Sequence, residues 1–290
     1  MLKGMTTENH RNNHASLSSR PPSLIKWSGS KRSTAFDIFK LAPSRFNRYF
    51  EPFLGGGALL FYFAGYREAF ASDIYSPLID FWNHVKASPD KLHEHYEENW
   101  VKLQQSFPEH YYEVRKNFNQ EPNGLDLAFL SRTCVNGIIR FNSNGEFNNS
   151  LHLSRRGMKP ELFKKVVNEW SHKLYNTTFT ARSFENILTE IKENDFVYLD
   201  PPYLGSRNRY IESLRRENLI DFLKELNYRK AKWALSFDGS RGDTDYCQEL
   251  IPKELYCKRV LLNAGLSAVS KVLNAKVEDV VESLYLNYHT

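Results

Sequence analysis

Cysteine is scarce in this sequence: its 290 residues include only Cys134, Cys247 and Cys257, and none of them forms a C-x-x-C pair. This odd, scattered set supports neither a disulfide framework nor a zinc site. Long apolar runs are missing too, since no segment approaches the roughly 18 residues that a membrane-spanning helix needs. The polar N-terminus lacks the apolar segment of a signal peptide, so residues 1–22 are predicted to be a disordered lead-in and the protein is expected to be soluble and cytoplasmic.

A strong charge of one sign is also absent, because the formal net charge is only +5. Taken alone, this small excess is typical of a solvated surface and is no more than compatible with an anionic partner. Hydrophobic residues make up 41% and charged residues 25% of the chain, which is ordinary for a globular protein. The length predicts one large domain that carries a smaller inserted one.

Residues 47–73 have the order of strand, glycine loop, helix, strand and acid that a nucleotide-binding crevice requires. An aromatic, partly apolar run at 47–53 suits a buried strand, the segment FLGGGALLFYFAG overlaps its end, and EAFASD is the next strand candidate. Glycine lets a backbone approach a ligand closely, and Asp73 at the second strand end can accept both hydroxyls of a ribose. The alternative is a glycine turn in an ordinary α/β unit, with Asp73 as a helix cap.

The glycine loop lacks the signatures of phosphate binding. No G-K-[ST] follows the glycines, which argues against a P-loop, and FLGGGA is not a clean G-x-G-x-x-G. An adenosine cofactor without phosphates is therefore favoured over a dinucleotide.

In the stretch DFVYLDPPYLGS at 195–206, an apolar run ends at Asp200. The two prolines that follow prevent regular secondary structure. In a parallel sheet the ligand lies beyond the carboxyl ends of the strands, so Asp200 is expected in the crevice. Pro201 has no amide hydrogen, and Pro202 restricts it to extended geometry, which fixes its carbonyl beside the Asp200 carboxylate.

Two fixed acceptors suit an exocyclic amino group, which has two hydrogens to donate and keeps a lone pair. The ring of Tyr203 can stack on the attached base. The pattern therefore predicts methylation of an amine on a nucleobase. The alternative is a rigid turn at a strand end, with Tyr203 in the core.

Between these two motifs the sequence predicts helices and one hairpin. PDKLHEHYEENWVKLQQ and PEHYYEVRKNFNQ each repeat apolar or aromatic positions at spacings of three and four, which is typical of amphipathic helices. IIRF and EFNN flank Ser143, Asn144 and Gly145, and Asn-Gly strongly favours a tight β-turn. The basic residues in or near this hairpin are Arg132, Arg140, Arg155, Arg156, Lys159, Lys164 and Lys165.

A basic hairpin of this kind can follow the phosphates of DNA. The side chains of Arg140, Asn136 and Asn142 have the guanidinium and amide groups that read base edges in a major groove. The alternative is a solvated hairpin whose arginines touch no ligand.

Five motifs in this order resemble those of the Dam-type DNA adenine N6-methyltransferases, the alpha group of the D12 class. KWSGSKR at 26–32 is similar to the family's N-terminal cofactor motif, FEPFLGGGAL at 50–59 to its glycine motif, and SDIY at 72–75 to its ribose-binding acid. NGIIRFNSNGEFN at 136–148 resembles its DNA-contacting hairpin, and DPPY at 200–203 its catalytic motif. DPPY alone occurs in several branches of amine methyltransferases, whereas five motifs in sequence are specific.

The resemblance implies an α/β fold: a doubly wound, Rossmann-like sheet that binds S-adenosylmethionine, with an inserted, mainly helical recognition domain that carries the hairpin. The catalytic domain would span 23–78 and 174–290, and the recognition domain 79–173. The implied activity is transfer of a methyl group, without a metal, to N6 of an adenine flipped out of double-stranded DNA. A cognate restriction endonuclease is a further partner that such relatives suggest, and no membrane is involved.

The family's site residues carry over onto matching positions of this chain. The implied catalytic residues are Asp200, Pro201, Pro202 and Tyr203. The implied cofactor-binding residues are Trp27, Lys31, Glu51, Pro52, Phe53, Gly55, Gly57, Asp73, Ile74, Phe184 and Asp200. The implied DNA-binding residues are Lys26, Asn136, Ile138, Arg140, Asn142 and Asn148.

The chain departs from the family pattern at several places. Val135 stands where relatives commonly have an aromatic residue before the Asn-Gly. Asn149 and Ser150 end FNNS where many relatives read FNVP, so the resemblance does not imply recognition of GATC. Ser183 replaces an acid in the segment that touches the cofactor adenine, although Phe184 can still stack there.

Two other functions stay open from the sequence. One is the same chemistry on RNA or on a protein amide, against which the basic hairpin argues. The other is a catalytically idle DNA-binding relative, against which the intact DPPY and glycine motifs argue.

Overall fold

A parallel β-sheet forms the centre of the fold, and its strands are short and rich in apolar side chains. The computed structural model describes residues 20–202, 215–237, 240–241, 244–245, 251–266 and 279–290. The parallel strands are β1 (Tyr49–Glu51), β2 (Ala69–Asp73), β3 (Thr177–Ala181), β4 (Phe196–Leu199) and β5 (Lys232–Phe237).

Successive side chains of the central strands enter two separate hydrophobic cores. Tyr49 and Phe196 pack in one core, whereas Phe50 and Val197 pack in the other. This alternation follows from the two-residue period of a strand. Every residue of β1 and β4 is buried, because both faces of the sheet are covered. The apolar run that precedes Asp200 is thus a central strand, as predicted.

The sheet is doubly wound, which confirms the predicted fold class. Beyond β5, β9 (Asp279–Leu286) pairs with β5 and with β8 (Lys258–Leu266), antiparallel to both. Two-residue strands, β6 (Ser240–Arg241) and β7 (Thr244–Asp245), extend this edge. The order is β3-β2-β1-β4-β5-β9, so the chain moves outward from β1 in one direction and from β4 in the other. This switch point opens a crevice at the carboxyl ends of β1 and β4.

Most helices of the described residues lie between β2 and β3 in the sequence, where the helical insert is predicted. None of these helices, nor any other in the described ranges, is long and apolar enough to span a membrane. The α-helices are α1 (Ala35–Lys40), α2 (Leu60–Phe63), α3 (Ser76–Ala87), α4 (Pro89–Gln105), α5 (Glu109–Gln120), α6 (Gly124–Thr133), α7 (Pro160–Lys173) and α8 (Arg216–Tyr228).

Helix α4 shows why the predicted amphipathic segments fold as helices. Its side chains Leu92, Tyr96 and Leu103 are fully buried and lie on one face, at the spacings that the sequence pattern indicates. Tyr96 stacks on Phe163 of α7, with ring centroids 4.0 Å apart. The helices of the insert therefore pack in the same hydrophobic core that contains Tyr49 and Phe196 of the sheet.

Helix α3 packs the helices of the insert against the sheet. Trp82 of α3 packs against Phe179 of β3 and Trp170 of α7, with ring centroids 5.9 and 4.9 Å away. The predicted domain boundary at residue 79 lies inside α3. The helix therefore contributes to the packing of both parts of the molecule.

The last residues of the segment 1–22, predicted as a disordered lead-in, contact the folded chain. Of these residues the structure describes 20–22, and two of them bond to the folded chain. Arg32 Nε donates to the Pro21 carbonyl at 2.7 Å, and Trp170 Nε1 donates to that of Pro22 at 3.1 Å. These bonds hold residues 21 and 22 against the rest of the fold.

The predicted hairpin lies between α6 and α7, and its two arms pair through isolated bridges. Phe141 pairs with Phe147, and Cys134 pairs with Leu151, both in antiparallel orientation. The hairpin is therefore short, and its tip protrudes from the helical insert.

Candidate active site

A cleft opens beyond the carboxyl ends of β1, β2 and β4, where the switch point predicts a ligand. Every residue of the predicted cofactor-binding set borders this cleft, and so do Pro201 and Pro202. The sequence motifs at 26–32, 50–59 and 72–75 are thus brought together around one space.

The carboxylate of Asp200, directly after β4, is bound by a lysine. Lys31 Nζ lies 2.8 Å from Asp200 Oδ1 and 3.6 Å from Glu282 Oε1. Burial raises the pKa of Asp200 to about 6; Lys31 opposes this rise, and the negative charge of Glu282 adds to it. Asp200 is therefore available as a carboxylate acceptor at neutral pH. The sequence motifs did not indicate this ion pair.

Glu51, at the end of β1, is a second carboxyl group close to Asp200. The Tyr49 hydroxyl donates to Glu51 Oε2 at 2.7 Å. Burial raises the pKa of Glu51 to about 8; the bond from Tyr49 opposes this rise, and the charge of Asp200 adds to it. The two carboxyl groups thus favour different protonation states at neutral pH.

Pro201 and Pro202 continue the chain along the wall of the cleft. Pro201 is buried, Pro202 is partly exposed, and both border the cleft. Tyr203, the remaining residue of the predicted catalytic set, lies outside the described residues. Its stacking role therefore stays a prediction.

The triple-glycine turn is packed between two tryptophans. Gly55 and Gly57 have φ values of +47° and +64°. A Cβ atom on Gly55 would lie 2.7 Å from Trp27 Cδ1, and one on Gly57 would lie 2.9 Å from Trp82 Cζ2. Trp82 Nε1 also donates to the Gly55 carbonyl at 3.2 Å. Both the backbone conformation and the tryptophan packing therefore require glycine here, a reason that the sequence did not give.

Asp73, at the end of β2, joins two parts of the cleft. Its Oδ2 accepts from Gly55 N and its Oδ1 from Tyr75 N, both at 3.1 Å. Burial raises the pKa of Asp73, and these backbone bonds oppose the rise. No side chain caps the start of α3, so the alternative role of Asp73 as a helix cap is wrong. A carboxylate has about four acceptor positions, so Asp73 keeps capacity for a ribose hydroxyl beside its backbone bonds.

An aromatic pair forms another wall of the cleft, next to an acid that sequence reasoning missed. Phe53 and Phe184 pack with ring centroids 5.1 Å apart. Ser183 Oγ donates to Glu185 Oε2, and Asn218 Nδ2 donates to Glu185 Oε1 at 3.1 Å. All five residues border the cleft. Glu185 could have been found from the sequence, because it is an acid two positions beyond Ser183. No feature of the sequence indicated Asn218 on α8.

The first arm of the hairpin presents its two faces to different parts of the molecule. Ile139 and Phe141 border the cleft, and Phe141 packs on Tyr75 with ring centroids 5.3 Å apart. Ile138 and Arg140, both in the predicted DNA-binding set, are exposed. The two-residue period of an extended chain explains this alternation.

The asparagines of the predicted DNA-binding set differ in how their side chains are used. Asn136 is exposed, with a φ of 56°. Asn142 Nδ2 donates to Glu146 Oε2 at 2.8 Å, and its Oδ1 accepts from two backbone N–H groups of the turn. Asn148 Oδ1 accepts from Arg140 Nε at 3.2 Å. Base reading by Asn142 would therefore require its turn bonds to break.

Arg132 does not contribute to the basic surface predicted around the hairpin. It is 7% exposed, because it lies on the buried side of α6. Its Nη2 donates to Met158 Sδ at 3.0 Å, and its Nη1 donates to Ser23 Oγ at 3.5 Å. Lys26, the remaining residue of the predicted DNA-binding set, is half-buried against the hairpin.

The sheet and its cleft define the class of the protein. A doubly wound sheet with antiparallel β9 beside β5, an acid at the end of β2 and Asp-Pro-Pro after β4 are features of S-adenosylmethionine-dependent methyltransferases. A family model described as D12 class N6 adenine-specific DNA methyltransferase matches residues 27–262. The chain belongs to this family, which confirms the resemblance read from its motifs.

Relatives with names of the same kind match this chain over much of their length. The type II methyltransferase M.MjaIII of Methanocaldococcus jannaschii is 30% identical to this chain over an alignment of 298 residues, gaps included. The alignment covers 91% of this chain and 98% of the relative. A DNA adenine methylase of Haemophilus influenzae is 29% identical over 264 residues, 87% of this chain and 89% of the relative. The type II methyltransferase M1.LlaDCHI of Lactococcus lactis subsp. cremoris is 31% identical over 195 residues, 62% of this chain and 65% of the relative.

Proposed function

We propose that this protein transfers a methyl group from S-adenosylmethionine to N6 of a flipped-out adenine in a short sequence of duplex DNA. One observation carries the proposal: Asp200 and Pro201, after β4, border the same cleft as Asp73, at the end of β2. An amine held by the first two residues would face a nucleoside cofactor held by the third. Membership of the adenine-specific family supports the choice of adenine.

The chemistry of the residues around the cleft fits S-adenosylmethionine. Asp73 has acceptor capacity for a ribose hydroxyl, and the rings of Phe53 and Phe184 offer an apolar wall for its adenine. Trp27 and Lys31 belong to the same lining. When bound, S-adenosylmethionine supplies an electrophilic methyl group on a positively charged sulfur.

Asp200 and Pro201 act on the amine that receives the methyl group. The Asp200 carboxylate and the Pro201 carbonyl accept its two N–H groups, which directs the nitrogen lone pair away from them. Formation of the N–C bond would accompany breakage of the S–C bond and release of S-adenosylhomocysteine; the positive charge that would develop on the nitrogen would be stabilised by the Asp200 carboxylate. The nitrogen would then lose one proton to solvent. Holding the reactants in line contributes up to about 7–11 kcal/mol, and Tyr203 is proposed to stack on the adenine.

Adenine must leave the base stack to reach Asp200. The Asp200 side chain is only 19% exposed. An amino group paired inside a duplex cannot enter such a cleft, whereas a base rotated out of the helix can. This burial supports base flipping as part of the reaction.

The exposed residues of the hairpin favour duplex DNA as the substrate. Arg140, Ile138 and Asn136 are exposed on the hairpin, on the side opposite the residues that border the cleft. The Arg140 guanidinium can reach base edges or phosphates. We assign residues 79–173 to DNA recognition on this basis. Two relatives are named type II methyltransferases, and on that ground we propose a cognate restriction endonuclease as a partner in the cell.

The proposal is tested by offering the protein three methyl acceptors with radiolabelled S-adenosylmethionine: duplex DNA, RNA and a protein mixture. We expect label only in duplex DNA, recovered as N6-methyladenine after digestion to nucleosides. Label in RNA or protein would contradict the substrate, and a labelled base other than adenine would contradict the target. Absence of label in all three would favour an idle DNA-binding relative.

A further inference from the structure

A tight turn at the start of the hairpin has two successive residues in the left-handed region. Asn136 and Gly137 have φ values of 56° and 64°. The turn is closed by Ile138 N, which donates to the Val135 carbonyl at 3.2 Å. Such turns favour Asn followed by Gly, because both central residues need positive φ. The Asn-Gly at 136–137 is therefore explained first by its backbone.

Gly137 is also buried against the side chain of Lys26, which gives it a second role. A Cβ atom on Gly137 would lie 2.1 Å from Lys26 Cδ, 2.5 Å from its Cβ and 2.9 Å from its Cγ. Rotation of the lysine side chain can remove Cγ and Cδ but not Cβ, which is fixed to the backbone. Any side chain at this position would thus push Lys26 and the segment around it away from the turn.

Lys26 lies at the boundary between the cofactor cleft and the hairpin. Burial lowers its pKa, and the positive charges of Arg132 and Arg155 lower it further. The next residue, Trp27, borders the cleft and packs on the glycine turn. A half-buried ammonium group beside two other cations is a strong donor for an electron-rich acceptor such as a base edge or phosphate.

We propose that Gly137 is a positioning residue for DNA recognition. Because Gly137 has no side chain, the methylene groups of Lys26 pack on the Asn-Gly turn, and this packing orients the ammonium group toward the DNA. This inference rests on the proposed DNA contact of Lys26. The contact between Gly137 and Lys26 also fixes the hairpin relative to the segment that carries Trp27. Recognition of the DNA and the shape of the cofactor cleft are then linked through residues 26 and 27.

The matched comparison is between Gly137→Ala and Gly145→Ala. Both glycines lie in the hairpin with positive φ, 64° and 78°, so both substitutions introduce the same kind of backbone strain. Nothing lies within 4 Å of a Cβ atom on Gly145, in contrast to Gly137. We expect Gly137→Ala to weaken duplex DNA binding at least about tenfold. Gly145→Ala should change it less than about threefold, and this control variant should bind S-adenosylmethionine as the parent does.

A double-mutant cycle with Lys26→Gly separates positioning of the lysine from a general effect on the hairpin. Lys26→Gly removes Cβ, Cγ and Cδ, the three atoms that a Cβ on Gly137 would overlap, so Lys26→Gly/Gly137→Ala should bind DNA like Lys26→Gly alone. Additive losses would overturn the inference, as would equal losses from Gly137→Ala and Gly145→Ala. If Gly137→Ala does not fold, the double variant decides: its folding supports the inference and its failure contradicts it. Unchanged DNA binding by Lys26→Gly would instead refute the DNA contact on which the inference rests.

Discussion

Asp200 and Glu51 are two carboxyl groups at the ends of neighbouring strands, and their surroundings give them different pKa values. Asp200, paired with Lys31, has a pKa of about 6, and the more deeply buried Glu51 has one of about 8. Only Asp200 is then mainly ionised at neutral pH, as an acceptor for an amine must be. The titratable groups that influence Asp200, or that its charge influences, are Lys31, Tyr49, Glu51, Tyr198 and Glu282.

The first prediction concerns the pH dependence of methylation. Single-turnover rates at saturating S-adenosylmethionine should fall as the pH decreases through about 6, because protonated Asp200 loses an acceptor. Lys31→Met removes the cation that opposes protonation, so the fall should move to higher pH. Glu282→Gln removes a negative charge, so the fall should move to lower pH. If the pH profiles of the two variants shifted in the same direction, this account of the Asp200 charge would be contradicted.

Asp73→Ala should weaken cofactor binding, because it removes the acceptor for the ribose and two bonds from Gly55 N and Tyr75 N. The loss of hydrogen bonds to a charged group corresponds to about 1.5–3 kcal/mol, or roughly a tenfold to hundredfold rise in Kd. Isothermal titration with S-adenosylmethionine measures it. An unchanged Kd would remove Asp73 from the cofactor site.

At the scale of elements, β4 and the first arm of the hairpin do the most to define the site. β4 ends at Leu199 and presents Asp200 to the cleft, while the hairpin arm turns Ile139 toward the cleft and Arg140 away from it. Both follow from short, extended segments in which side chains alternate. A shift of one residue in either element would exchange the inward and outward side chains.

Arg140→Ala should reduce affinity for the substrate duplex by about 1–3 kcal/mol, because it removes the guanidinium group that we propose reads a base edge. The control is Lys192→Ala, which removes an exposed cation just before β4, at the opposite end of the sheet from the cleft. Its DNA affinity should stay close to that of the parent. Fluorescence anisotropy at several salt concentrations gives both values, and equal losses in the two variants would refute base reading by Arg140.

The amino end of β4 is held by a buried ion pair that should matter for stability alone. Asp195 is 0% exposed and accepts from Arg48 Nη2 at 2.6 Å and from Lys192 N at 2.8 Å. Asp195→Ala should lower the free energy of unfolding by about 3 kcal/mol, the low end for a broken buried pair. Asp221→Ala breaks an exposed pair and should lower it by less than about 1 kcal/mol. Urea denaturation distinguishes them, and equal changes would contradict the role assigned to Asp195.

The sequence predicted the elements that carry local patterns. The strand before Asp200 and the helices α4 and α5 were recognisable because apolar runs and spacings of three and four are local signals. Three other features were not recognisable from the sequence: the pair between Lys31 and Asp200, the packing of Trp27 on Gly55 and the burial of Arg132. Each of these depends on contacts between segments far apart in the chain, which only the folded sheet brings together.

At the scale of the whole molecule, the hairpin lies beside the cleft: Ile139 and Phe141 border the cleft, and Arg140 is exposed. The net charge of +5 is small, and the exposed cations near the hairpin, such as Arg140, Arg155 and Arg156, make it a local feature. Association with DNA through such cations weakens as salt increases. The proposed chemistry depends on the carboxylate of Asp200, which borders the crevice.

The most direct test of the central claim is the amount of N6-methyladenine that Asp200→Asn forms in duplex DNA, measured by mass spectrometry of nucleosides. We predict a loss of at least about a hundredfold relative to the parent, with S-adenosylmethionine affinity unchanged within about threefold. Asp221→Asn, at an exposed position of α8, should form as much product as the parent. An Asp200→Asn variant that binds cofactor and keeps most of its turnover would contradict the account.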